Sequence, residues 1–383
     1  MTKQPLSAER VEEFVASIFE TDLHARRVGS LAGATLGVVR AGSLCIHAIG
    51  HGLAKAEGLN SKHAVKQVDR LLSNAGVEVN DLFRLWVPFV VGARTKVVVA
   101  LDWTDFDDDG QSTLALHLLT SHGRATPLMW MTFSKATLRG RRNRCEDTIL
   151  THLRDCLPPG VKVTILADRG FGDHKLYRLL LEDLKFDFII RFKSGIQVTA
   201  DGERRTAGSW VPPNGRATRL GNALVTKQNF PLPAVVVVKA PRMREPWCLA
   251  VSDPSLKAAE AANLYGRRFT IEESFRDTKD IRFGMGLSAT HISDPMRRDR
   301  LLLIAAIAGA LLTLLGAAGE SLGMDRMLKA NTSKKRTHSL FTQGVHYYGA
   351  IPAMRNELLG PLIAAFLGLV KQHAVFQEIF GPI

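Results

Sequence analysis

Hydrophobic positions change their spacing several times along the chain. Over residues 8–82 apolar side chains recur at helical intervals, with Gly29, Gly58, Asn60 and Asn74 as punctuation, which predicts an all-helical segment. From about residue 86 the pattern becomes strand-like. An apolar run at 96–101 leads into Asp102, and two further strands at 112–120 and 126–133 are joined by a tight turn at 121–124. A helix at 145–156, a buried strand at 161–167 ending at Asp168, a helix at 173–184 and a strand at 187–192 follow. Residues 195–252 differ in kind. Gly195, Gly202, Gly208, Pro212, Pro213, Gly215, Pro231 and Pro233 break them into short strand-like pieces. Helical spacing resumes at 256–283, stops at Gly284 and Gly286, and returns to the end of the chain. Three strands followed by alternating helices and strands give an α/β fold: a mixed sheet with flanking helices. The expected regions are 1–85 (helical), 86–194 (core, first part), 195–252 (a β-rich insertion), 253–320 (core, second part) and 321–383 (helical).

Residues 301–318 form an uncharged run that would span about 27 Å as a helix, near the lower limit for crossing a bilayer. Its Ala and Gly content suits close packing, and it is expected to be a core helix rather than a membrane span. Apolar residues at 46% and charged residues at 23% exclude wholesale disorder. The balance of 50 Lys and Arg against 37 Asp and Glu, a formal charge of +13, points to a polyanionic partner, nucleic acid first. Cys45, Cys145, Cys156 and Cys248 lack paired spacing, which argues against a disulfide framework or a cysteine zinc site. With no secretory pattern at the start, a cytoplasmic location is expected.

Two basic segments bear on that partner. Lys62, Lys66 and Arg70 fall at i, i+4 and i+8 of one helix and make a stripe opposite its apolar residues, read either as a DNA-backbone helix or as a solvated face. Arg139, Arg141, Arg142 and Arg144 crowd a stretch without acids, read as a DNA-backbone loop with a solvated loop as the alternative. The acidic stretch 105–110 opens like a calcium loop, but Leu116 stands where the twelfth-position Glu is needed. It is read as an acidic turn, with Asp105 a candidate neighbour of the site.

Three carboxylates carry the candidate chemistry. Asp102 and Asp168 are expected at the C-terminal ends of buried strands, where a sheet delivers side chains to a common edge. Glu272 lies in a helical segment in which Tyr265, Arg268, Glu272 and Lys279 share an arc of about 60° at ~100° per residue. The bland alternative is a surface ladder of ion pairs, Arg268–Glu272 and Glu272–Arg276.

The spacing Y-x2-R-x3-E-x6-K formed by Tyr265, Arg268, Glu272 and Lys279 resembles the signature of a large group of bacterial insertion-sequence transposases of the DDE class, the family numbered four. ADRGFGD at 167–173 and LDWTDF at 101–106 are similar to that family's surroundings of the second and first aspartates. The likeness covers about 95–285 and includes a β-rich insertion before the glutamate. It implies an RNase H-like fold and two Mg²⁺ ions held by Asp102, Asp168 and Glu272, with Mn²⁺ able to substitute. Converging carboxylates repel unless cations hold them together, and hard divalent ions prefer oxygen ligands. It also implies that Tyr265, Arg268 and Lys279 bind phosphates of the element end, with Arg169 either joining them or serving in a scaffold ion pair. The expected activity is cut-and-paste transposition by a homodimer on paired DNA ends, through a hairpin intermediate, without a membrane. An RNase H-like nuclease without strand transfer and an inactive, transposon-derived DNA-binding protein are the alternatives.

Overall fold

Residues 97–101 alternate between two buried faces. Val97, Val99 and Leu101 enter one apolar core while Ala100 enters a second. Burial on both sides is why the run is apolar almost throughout rather than alternating with polar residues. In the computed structural model, which describes residues 6–282 and 284–371, this strand is an interior strand of a sheet with helices on its faces.

Five helices precede it: α1 (Ala8–Phe19), α2 (Ala25–Ala41), α3 (Ile46–Glu57), α4 (Ser61–Leu72) and α5 (Val79–Val91). Gly29 lies inside α2 and does not separate helices, whereas Gly58, at a φ of 68°, ends α3 and the Asn60 side chain caps α4. The sheet begins with β1 (Lys96–Phe106), β2 (Gln111–Leu118) and β3 (Thr126–Ser134). The chain continues through α6 (Lys135–Leu138), α7 (Arg142–Cys156), β4 (Lys162–Ala167), α8 (His174–Arg178) and β5 (Asp187–Phe192). The expected helix 173–184 is therefore split, α8 giving way to a wider π-helical stretch over Leu179–Leu184.

The region 195–252 contributes β6 (Gln197–Ala200), β7 (Glu203–Thr206), β8 (Thr218–Val225), β9 (Phe230–Val238) and β10 (Trp247–Val251). These strands do not fold apart from the core. β10 pairs antiparallel with β5, and all ten strands join one sheet in the order β3-β2-β1-β4-β5-β10-β9-β8-β6-β7. Continuous pairing from β5 to β10 leaves no edge at which a separate β subdomain would begin. The first five strands have the expected mixed arrangement: β1, β2 and β3 antiparallel, β4 and β5 parallel to β1, the strand order of an RNase H-like fold.

Two short helices cover the second core, α9 (Ala258–Gly266) and α10 (Thr270–Lys279), seated by Ala261, Tyr265 and Ile271. The apolar run lies in α11 (Pro295–Ser321), with 83% of its most hydrophobic window buried within the fold, as expected of a core helix. Against it lie α12 (Leu340–Ala350) and α13 (Asn356–Lys371). Gly316 and Gly344 allow α11 and α12 to approach backbone to backbone, since a Cβ on either would collide with a carbonyl of the other helix. Of the helical region expected from 321 to 383, residues 372–383 lie outside the described residues.

Candidate active site

Parallel pairing sets the two aspartates side by side. Leu101 of β1 is the partner of Ala167 of β4, so Asp102 and Asp168 come next on neighbouring strands, and both follow residues of the second core, Ala100 and Leu166. Asp168 leaves β4 at its end and accepts a hydrogen bond from the Gly170 N–H at 2.7 Å. Asp102 differs from expectation because β1 runs on to Phe106. The hairpin partner β2 carries the pairing past it (Asp102 opposite Ala115), and only the parallel ladder stops there. Asp102 accepts from the Trp103 N–H at 2.9 Å and from Arg268 Nη1 at 3.1 Å.

The third carboxylate reaches the site through a break. Residues 256–283 are not one helix, because Arg267–Phe269 form a single 3₁₀ turn between α9 and α10. Each 3₁₀ residue turns about 120° rather than about 100°, so the continuous-helix arc does not apply across it. The turn places Arg268, 5% exposed, where Nη2 donates to Glu272 at 2.9 Å while Nη1 donates to Asp102. The Arg268–Glu272 pair of the bland reading therefore exists, but its guanidinium is buried and shared with the sheet. Arg276, the other member of the expected ladder, donates to Glu273 at 2.5 Å rather than to Glu272.

Tyr265 and Lys279 are engaged inside the protein. The Tyr265 ring, 1% exposed, packs edge-on against Trp247 with centroids 4.9 Å apart. Lys279 Nζ donates to Thr104 Oγ1 at 3.1 Å and to the Asp105 carbonyl at 2.6 Å, tying the end of α10 to β1. Burial holds the Lys279 ammonium below its ordinary pKa.

The electrostatics of this corner are unbalanced. Burial pushes the Asp102 carboxyl up to about 6, with Arg268 opposing and the charges of Asp168 and Glu272 adding to the rise. Three carboxylates thus share the neighbourhood of one guanidinium. Among the described residues no three His, Cys, Asp or Glu side chains are already gathered as a ready-made metal cluster. The donor set nonetheless fits a hard divalent cation: carboxylate oxygens only, with negative charge in excess of its counter-charge.

Other expected residues lie further out. Arg169 pairs with Glu245 at 2.8 Å, the scaffold alternative considered for it. Arg139 and Arg141 lie between α6 and α7, but Arg142 and Arg144 belong to the first turn of α7, not to a loop. All four are exposed, and Arg142 sits 4.8 Å from the Trp103 ring. Lys62, Lys66 and Arg70 form an exposed stripe along α4. The acidic turn Asp107–Asp109 closes on Gly110 at a φ of 60°, and Asp109 bonds the buried Arg298. Sequence reasoning missed Arg191, Glu245 and the half-exposed Phe269, which line the cleft beside Asp168 and Arg268. The one available signal was an arginine within the apolar strand β5.

Acidic side chains on neighbouring strands, with a third on a covering helix, are a donor set compatible with metal-assisted phosphodiester chemistry. Residues 93–308, more than half of the chain, match the family described as the transposase DDE domain. The chain belongs to that family of DNA-acting, metal-dependent enzymes. No curated protein matches the chain.

Proposed function

We propose that this protein is the transposase of an insertion sequence of the Tyr-Arg-Glu-Lys group, family four, cutting DNA at the element's ends and joining the freed 3′-hydroxyls to target DNA. The observation that carries this reading is that the buried Arg268 bonds both Asp102 and Glu272, from distant segments, while Asp168 lies within electrostatic reach of Asp102 and Arg268.

Asp102, Asp168 and Glu272 would hold two divalent ions, Mg²⁺ by preference with Mn²⁺ able to substitute. When bound, such ions supply activation of the attacking oxygen and stabilisation of the leaving one. The protein's own groups do the rest. The backbone N–H groups of Trp103 and Gly170 orient the aspartates. Arg268 balances carboxylate charge in the free protein and faces the phosphate once DNA is bound, its planar fork suiting two oxygens at once. Tyr265 buttresses Arg268, while Lys279 anchors α10 and with it Glu272. The region 1–85 binds element ends through the α4 stripe of Lys62, Lys66 and Arg70, and Arg139, Arg141, Arg142 and Arg144 add backbone contacts. Residues 86–194 and 253–320 form the catalytic core, 195–252 extends it, and 321–383 is a helical appendage. Cutting and joining two ends together calls for a dimer, and the second strand is released through a hairpin.

The test is incubation with Mg²⁺, an element-end duplex and a target plasmid in the cytoplasmic range of pH and salt. Joined product from the wild type and none from Glu272→Ala is expected. Nicks without joining would favour a nuclease, and absence of both would favour a DNA-binding protein without activity. Cleavage surviving Glu272→Ala would remove the proposed site.

A further inference from the structure

We propose that Arg191, together with Arg169, forms a seat for a DNA backbone phosphate beside Asp168, and that Glu245 fills this seat in the free protein. The inference rests on the reading of the protein as a DNA-cutting enzyme.

Arg191 stands in a strand whose neighbours Ile190 and Phe192 are 0% and 4% exposed. An arginine there gives up much of its hydration and needs a compensating anion. Its Nε is buried and has no hydrogen-bond partner among the described residues, and its Nη2 donates to Glu245 Oε2 at 3.0 Å and to the Pro246 carbonyl at 3.3 Å. Arg169 Nη1 donates to the same Oε2 at 2.8 Å. Two guanidiniums therefore converge on one carboxylate oxygen.

That carboxylate is poorly suited to a permanent role. Glu245 sits in the 239–246 loop between β9 and β10, and its side chain is 57% exposed. The buried pair Arg298–Asp109, by contrast, is 0% and 11% exposed. Asp168, Arg268, Arg244 and Phe269 line the same cleft, so an anion held there would lie next to the acidic centre. A phosphodiester offers two unesterified oxygens that share one negative charge, which matches two converging guanidiniums better than a single oxygen does. As Glu245 withdraws, Lys239, Arg242 and Arg244 on its loop remain to face the DNA backbone.

The test is fluorescence anisotropy of the full-length protein with an element-end duplex in EDTA, across a salt series. Glu245→Gln is expected to bind roughly three- to tenfold more tightly, with a salt slope steeper by about one, since each phosphate engaged adds about −0.9 to it. Arg191→Gln should bind more weakly and should cancel the gain when combined with Glu245→Gln. Arg191→Lys, which keeps the charge but loses the fork, serves if the glutamine variant does not fold, and it too should cancel the gain. Glu182→Gln, which removes an exposed carboxylate paired with Arg178, controls for net charge. A gain in Glu245→Gln no larger than in Glu182→Gln, or one that persists without Arg191, overturns the seat while leaving the wider reading intact. A wild type that binds no DNA overturns both.

Discussion

Two clusters of buried charge can be compared within this molecule. Around α11, Arg298 bonds Asp109, donates from Nε to Gln111 at 2.6 Å, and lies 3.8 Å from the Phe106 ring. Arg300 donates to the carbonyls of Val77 and Leu72, and both oxygens of Asp299 accept from Thr132. Arg298 thus pairs with Asp109, while Arg300 and Asp299 are each held by neutral partners. Around Arg268, one arginine faces Asp102, Asp168 and Glu272, and the Glu272 side chain is 52% exposed. The first cluster is held largely by its own partners, while in the second three carboxylates share one buried guanidinium and Glu272 stays half-exposed.

The sharpest way to break this contrast is to remove each arginine. Arg298→Met should cost roughly 3–5 kcal/mol by leaving Asp109 without its buried partner, measured by denaturant unfolding. Arg268→Gln should also lower the melting temperature, but millimolar Mg²⁺ should restore it by replacing the lost positive charge. Recovery of both variants by Mg²⁺, or of neither, would erase the distinction.

A smaller effect is expected from pH. Burial pushes the Asp299 carboxyl up to about 7, against the Thr132 hydrogen bonds that lower it. A native pKa above the unfolded value means that the native state holds the proton more tightly, so this contribution is complete below about pH 4 and is lost as pH rises to about 7. Relative to Asp299→Asn, the wild type should lose up to about 4 kcal/mol across that range. His117 and His122, pushed down to about 3 by burial, act with the opposite sign in both proteins and cancel in the difference. Parallel pH profiles for the two proteins would contradict the buried-acid assignment.

The smallest effect concerns the surface. Lys66→Ala should reduce the salt slope of DNA binding by about one while changing stability by no more than about 0.5 kcal/mol. A larger stability loss would make the α4 stripe structural.

Much of this was legible in the sequence. Doubly buried strands carry continuous apolar runs, so β1, β4 and β5 and the residues following them could be placed, and Asp168 with them. Three features escaped for identifiable reasons. The 3₁₀ turn at 267–269 has no composition signal, and a helical wheel cannot register a local change of pitch. Pairing of β10 with β5 joins residues about sixty positions apart, and Gly and Pro spacing, which marked 195–252 as a β-rich insertion, reports turns rather than strand partners. The inward placement of Tyr265 and Lys279 depends on Trp247, Thr104 and Asp105, all contributed by other parts of the chain.

The central claim is that Asp102, Asp168 and Glu272 together hold divalent ions, and calorimetric titration of Mn²⁺ into the full-length protein tests it most directly. Saturable binding by the wild type that disappears in both Asp168→Asn and Glu272→Gln, with each variant folded by circular dichroism, is the predicted result. An unchanged titration after all three carboxylates are replaced would contradict it.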